Sequence, residues 1–177
     1  MISESWYWKR PLLEMAERLM SLTKSGDLSD EQFAQVERDI FIGFYSVRKL
    51  IETITKVTDA TKAMKVQVNW HPNKDVVSWR NNHKLDELYD LEVCNSEIRD
   101  IKFICGRIIH SFVFMPCLDE HGLAGIFFTS DNDKNSRLYF LSIDRVIDVF
   151  CCVGNDDPKE IHWSRDDGSG NEVTIVR

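Results

Sequence analysis

Arg107-Ile108-Ile109-His110-Ser111 is the run of this chain richest in residue types that can do chemistry. A histidine titrating near neutral pH can act as general base, a serine hydroxyl as nucleophile and a guanidinium as an anion clamp. These three, Arg107, His110 and Ser111, are the candidate site residues. Arg48 or Lys49 on an upstream helix would be their outside partners. His110 and Ser111 are adjacent, and neighbours in a strand face opposite ways, so the two do not form a nucleophile–base pair by themselves. No third group that would orient the histidine can be read from the spacing. Hydrolase or nuclease chemistry on these residues is therefore the alternative expectation, not the leading one.

Other chemistries find less support. Histidines 71, 83, 110, 121 and 162 form no closely spaced ligand pair, and Cys151-Cys152 are adjacent rather than spaced as zinc ligands. Asp131-Asn132-Asp133-Lys134-Asn135 begins like a calcium loop, but positions six and twelve hold Ser136 and Ser142 instead of Gly and Glu. The helical ribonucleases of prokaryotic defence systems (the HEPN class) separate an Arg and a His by four to six residues. Arg107 to His110 and Arg80 to His83 are too close for that spacing, and Arg99 is too far from His110. No glycine-rich phosphate cradle and no Gly-x-Ser-x-Gly elbow occurs, so neither a cofactor nor a metal is expected.

The composition sets the frame for these residues. With 177 residues, 43% hydrophobic and 29% charged, and only 8 Gly and 4 Pro, the chain is expected to fold as one domain over 1–177. Its net charge is −7, and residues 111–177 carry 6 basic against 12 acidic side chains. A nucleic-acid partner normally demands a basic footprint, so the balance argues against one. There is no signal-peptide pattern and no apolar run long enough to span a bilayer. The odd set of five scattered cysteines reads as reduced thiols, and the expected location is cytoplasmic.

The elements that must position the candidates follow from periodicity. Ser29 with Gln32 at N3 forms a capping box, and Leu28 with Phe33 forms a hydrophobic staple. Phe33, Val36, Ile40, Phe44, Val47, Ile51 and Ile54 then recur at helical spacing, predicting a helix over 29–57. Phe41, Ile42 and Tyr45 widen the stripe, so its middle is expected to be surrounded on most sides. A helix over 11–25 precedes it, with Trp6-Tyr7-Trp8 as an extension or lead-in and Gly26 as its stop. The short link makes the two an antiparallel pair. Residues 65–70 alternate weakly as a strand, and 71–91 give poor signals. A third helix opens at Asn95 or Ser96 and carries Ile98, Ile101, Cys105 and Ile108 inward. Strands over 111–115, 125–129 and 137–141 make an antiparallel meander, the first apolar on both faces. Ser142 caps a short helix stopped by Gly154, and residues 160–164 pair with 172–176 around a turn at 166–171.

Two stretches, 39–52 (with Val47-Arg48-Lys49-Leu50-Ile51-Glu52) and 104–114 (with Ile108-Ile109-His110-Ser111-Phe112-Val113-Phe114), resemble segments of uncharacterised bacterial proteins found near mobile elements. Phe127-Phe128-Thr129-Ser130-Asp131 and Leu138-Tyr139-Phe140 fit the same resemblance, which covers the middle two thirds of the chain. It implies a bacterial, cytoplasmic origin and carries no activity. Where that group has Cys-Asn before the Ile-Ile-His-Ser run, this chain has Cys105-Gly106.

The expected architecture is α+β: an N-terminal antiparallel helix pair and a third helix, packed over one shared core on an antiparallel meander of about 4–6 strands. The leading functional expectation is a non-catalytic binding or regulatory module holding a protein or small molecule where helices meet the sheet, with no membrane partner. A homodimer would form through a meander edge or the apolar excess of helix 29–57.

Overall fold

In the computed structural model, which describes residues 2–165 and 172–177, two helices lead the chain: α1 (Trp6–Leu22) and α2 (Asp30–Glu52). The Ser29 hydroxyl accepts from the Gln32 amide and the Gln32 side chain accepts from the Ser29 amide, so the capping box closes as its residues require. Trp8 meets Tyr45 and Arg18 meets Asp39, which makes the pair antiparallel. Both helices differ from the sequence-based bounds. α1 starts five residues before Pro11, which sits in its second turn, and ends at Leu22 rather than Ser25. Gly26, at φ 69°, turns the loop beyond that end and donates its amide to the His121 carbonyl.

α2 stops at Glu52, short of 57. Thr53 is extended and Thr55 takes a φ of 72°; both are β-branched, a type that costs a helix rotamer freedom. Ile54 is left exposed although it kept the helical spacing. Nor is the middle of α2 surrounded: Ile42 is 50% exposed and Tyr45 is also open to solvent. Its neighbours cover only the face that carries Val36, Ile40, Phe44, Val47 and Leu50.

A single turn of helix, α3 (Asp59–Lys62), leads to β1 (Lys65–Pro72), and a second, α4 (Leu85–Leu88), interrupts the following long segment. Next come β2 (Asn95–Asp100), α5 (Ile101–Ile109), β3 (Ser111–Leu118), β4 (Leu123–Ser130) and β5 (Arg137–Ser142). The five strands form one antiparallel sheet in the order β2-β1-β5-β4-β3. The fold is α+β, and β3-β4-β5 is the expected meander. β1, however, joins beside β5, bringing β2 with it.

Residues 95–100 correct the expected third helix. They are an edge strand paired to β1, with Glu97 opposite Val68 and Arg99 opposite Val66. Ile98 and Ile101 have helical spacing by coincidence, and Ile98 is 70% exposed. The helix starts only at Ile101, where the Asp100 carboxylate accepts from the Phe103 amide at 2.7 Å.

The sheet divides the apolar interior in two. On one face Val66, Val68, Ile126, Phe128, Tyr139 and Leu141 pack with α2, α5 and α6 (Ile143–Asn155), so the expected shared core exists. On the other face Val113 and Leu138 pack with Val77, Leu85, Leu88 and Tyr89 from the segment that gave no readable period. The Tyr89 hydroxyl donates to the Lys134 carbonyl at 2.7 Å, and burial raises its pKa. β3 is half-buried along most of its length rather than apolar on both faces.

α6 runs through Gly154 instead of stopping there, because that glycine serves contact with α1: a Cβ on it would lie 2.6 Å from Leu13 Cδ2. Buried Lys9 donates to the Asp156 carbonyl at 2.6 Å, a cation at the negative end of α6. Burial lowers the pKa of that amine, opposed by Asp156 and Asp157. The Asp156 carboxylate accepts from the Thr58 amide at 3.0 Å and from the Thr58 and Thr61 hydroxyls. At the C-terminus β6 (Ile161–Arg165) and β7 (Glu172–Val176) pair as expected, one residue on from the predicted start; the expected turn at 166–171 lies outside the described residues. Among the described residues no helix is long and apolar enough to cross a membrane.

Two glycines separate close packing from helix propensity. A Cβ on Gly43 would lie 2.2 Å from Phe150 Cζ in the core, whereas one on Gly106 would meet nothing nearer than Arg48 at 3.7 Å. Gly43→Ala should destabilise by about 1–3 kcal/mol through overpacking. Gly106→Ala should stabilise by about 0.5–1 kcal/mol through helix propensity. Urea denaturation of both variants checks the opposite signs.

The C-terminal hairpin is tied to α3 by the Val176 amide, which donates to Asp59 Oδ2 at 2.9 Å. That bond first, then Lys62, holds the Asp59 carboxyl below the usual aspartate range. Its contribution to stability is therefore complete above the ordinary aspartate pKa and lost as pH falls through the lower folded value. The Val176 amide chemical shift should titrate with an acid midpoint below that of a model aspartate, and Asp59→Asn should remove the transition.

Candidate functional site

Of the three residues singled out by type, the structure brings two to one place. Arg107 on α5 forms an ion pair with Asp133 in the β4–β5 turn, and the Ser130 hydroxyl donates to Asp133 Oδ2 at 3.1 Å. Ser111 stands opposite Ser130 in the β3–β4 register, with its own hydroxyl buried and unpartnered. The contact between Arg107 Nε and Asp133 lacks hydrogen-bond geometry, so that Nε–H is also unsatisfied. His110 is not drawn in. It is the C-cap of α5, exposed, and among the described residues its ring makes no hydrogen bond or ion pair.

Arg48 and Lys49 stay on α2: Arg48 pairs with Glu52 at 2.9 Å and Lys49 lies over the Tyr45 ring. The cavity of about 570 Å³ between α1 and α2 lies elsewhere again, lined by Met15, Ile42 and the buried Asp39. There Arg18 donates two bonds of 2.9 Å to Asp39, a bidentate pair that raises the arginine's pKa.

Around Arg107 the fold assembles a larger group that residue spacing did not reveal. The Arg99 and Arg107 guanidinium carbons each lie 4.7 Å from the Phe103 centroid. Arg137 lies 4.6 Å from the Trp70 centroid. Glu97 accepts two bonds from Arg99, at 2.8 and 2.9 Å, and reaches Arg137 at 3.4 Å. Phe103 stands edge-on to Tyr139 at 5.6 Å. Five elements contribute, β1, β2, α5, β5 and the β4–β5 turn, and the pairing of β1 with both β2 and β5 unites them.

Tyr139 is the centre of this group. It is 2% exposed. Among the described residues the fully buried side-chain atoms left unpartnered are Arg107 Nε, Ser111 Oγ and Thr129 Oγ1. Burial raises the Tyr139 pKa first; Asp133 and Glu97 add to the rise, while Arg137 and Arg107 oppose it. The phenol is neutral near pH 7 and remains a donor.

Sequence reasoning met several of these residues under other headings. Asp133 was part of a failed calcium loop, Arg99 a failed nuclease spacing and Arg137 the start of a strand. The usable signal was Phe103-x-x-x-Arg107, an aromatic and a cation one helical turn apart.

Chemically the group offers donors and charge. Its one hydroxyl–carboxylate contact among the described residues, Ser130 to Asp133, is shared with Arg107, and no cluster of three or more metal-ligating side chains occurs among those residues. Comparison with protein-family models, curated proteins and solved structures finds no match, so the reading rests on geometry.

The cysteines test the burial of this core directly. Burial pushes the Cys105 thiol up to about 12, whereas Cys94 and Cys152 are exposed. Iodoacetamide at pH 8 should modify Cys94 and Cys152 in the native protein and spare Cys105 until it is unfolded. Peptide mapping by mass spectrometry reads the order, and fast native labelling of Cys105 would contradict it.

Proposed function

We propose that this chain is a non-catalytic binding or regulatory module that holds a small ligand where α5 meets the sheet. The observation that carries this reading is the pair of partly exposed arginines, Arg107 and Arg137, stacked on the Phe103 and Trp70 rings. Stacking fixes each guanidinium before a ligand arrives, which lowers the ordering cost of binding. A protein partner would instead favour a broad exposed apolar patch, and this junction is mixed and charged.

The hydrolase or nuclease alternative needs His110 to activate Ser111 or water beside Arg107. His110 has no orienting partner among the described residues, and the Ser111 hydroxyl is buried, so neither residue is placed as that chemistry asks. A bacterial, cytoplasmic setting near mobile elements is part of the proposal. The resemblance of 39–52 and 104–114 supports it, and so does the absence of disulfides among the five free cysteines.

Incubation with p-nitrophenyl acetate, p-nitrophenyl phosphate and a single-stranded RNA oligonucleotide should give no turnover above the buffer rate. Turnover that disappears in both His110→Ala and Ser111→Ala would replace the binding reading with the hydrolase or nuclease one.

A further inference from the structure

We infer that the C-terminal hairpin is a dimerisation arm: the free edge of β6 pairs antiparallel with β6 of a second copy of this chain, about a twofold axis at Trp163. This goes beyond the proposed ligand binding and does not depend on it.

The first argument is what the hairpin leaves open. β6 and β7 form a sheet of their own, with no further strand beside them among the described residues. An isolated two-stranded hairpin is marginal in water and gains from added strands. Ile161, Trp163, Val173 and Ile175 are 53%, 60%, 52% and 41% exposed. Large apolar side chains gathered this densely on two short strands mark an interaction surface, unlike the single ones scattered over an ordinary exterior.

The second argument is which edge is free. Glu160 and Arg177 exchange both backbone bonds, at 2.9 Å each. Antiparallel alternation then turns the backbone groups of Ile161, Trp163 and Arg165 away from β7, and those of Glu172, Thr174 and Val176 away from β6. On the β7 side the Val176 amide is already taken by Asp59, so α3 stands at that edge. On the β6 side the three residues have no backbone partner among the described residues. The edges of the five-stranded sheet carry the usual protections: Glu97, Arg99 and Asp100 on β2, and Pro116 with two register shifts on β3. β6 has neither a proline nor a shift, and an exposed tryptophan is at its centre.

The third argument selects a second copy as the occupant. Trp163 is the middle residue of β6, so a twofold axis there, perpendicular to the ribbon, pairs the strand with itself along its whole length. Ile161 then lies opposite Arg165 of the second copy, His162 opposite its Ser164 and Trp163 opposite its counterpart. No like charges meet. The residues brought into bonded pairs are the three whose backbone groups point outward, so the hydrogen-bond phase closes as well. On one face Ile161 and Trp163 of both copies join into a continuous apolar row across the axis. Centring the axis on His162 instead would set that histidine against itself and Lys159 against Arg165, a like-charge pair.

The test is sedimentation velocity of the full chain from micromolar to submillimolar concentration, with Trp163→Lys, Trp163→Glu and Val173→Lys. The unaltered chain should dimerise reversibly. Trp163→Lys and Trp163→Glu each oppose like charges at the axis and should weaken association about tenfold or more. An equimolar mixture of the two opposes unlike charges there and should associate more tightly than either alone. Val173→Lys, on the other strand and the other face, should keep the original constant. Circular dichroism checks that each variant is folded. A chain that stays monomeric throughout overturns the inference and leaves the arm to a different partner. A dimer that Trp163→Lys leaves unchanged, that Val173→Lys weakens as much, or that the mixed variants fail to restore overturns it too.

Discussion

The position of one strand governs the rest of the molecule: β1 pairs with β5, more than 60 residues further along the chain. β4 and β5 would form a hairpin through local contacts alone. β1 can reach β5 only after a long loop has closed, an entropic cost repaid by the pairing and by what it buries. Once Trp70 lies opposite Tyr139 and Val68 opposite Glu97, β2 hangs on the outer side of β1 and α5 starts directly from its end. The arginine cluster follows from that geometry, since Arg99 belongs to β2, Arg107 to α5 and Arg137 to β5. No two of these elements are adjacent in the sheet, yet their side chains converge on Phe103, Glu97 and Tyr139.

The same pairing explains the two-sided interior. A sheet with helices on only one face leaves apolar side chains such as Leu138 and Val113 facing water on the other. The segment between β1 and β2 covers them with Val77, Leu85, Leu88 and Tyr89, and its loops are held by side chains that cap backbone groups. Asn135 accepts from the Val77 amide, Asn81 from the Ser78 amide, and Asn73 donates to the Leu88 carbonyl. Apart from the single turn α4, such a segment is neither helix nor strand, so it has no hydrophobic period. Its order comes from a surface that exists only after the sheet has formed.

That contrast separates what the sequence made legible from what it did not. The Ser29 capping box, the three meander strands and the Ser142-capped helix were readable because their signals lie within one turn or one hairpin. Residues 95–100 were misread because Ile98 fell on a helical row while the force that made them a strand came from β1, 30 residues away. Gly154 was misread as a stop because its real partner, Leu13, is distant in sequence. The candidate site divides the same way. Arg107 and Ser111 were found by residue type and do lie at one end of the sheet, but His110, the most obvious chemical residue of the run, points into solvent. Tyr139 reads as core and is buried, and nothing local shows that arginines gather around it. A site assembled from five elements leaves no linear motif.

The most direct check on this account is the set of cross-strand nuclear Overhauser contacts of β1 in solution. Contacts from Trp70 to Tyr139 on one side, and from Val68 to Glu97 on the other, are expected, with extended-strand couplings through 95–100. Sequential helical contacts through 95–100, or β1 lying against β3, would contradict the sheet order and remove the basis for the arginine cluster.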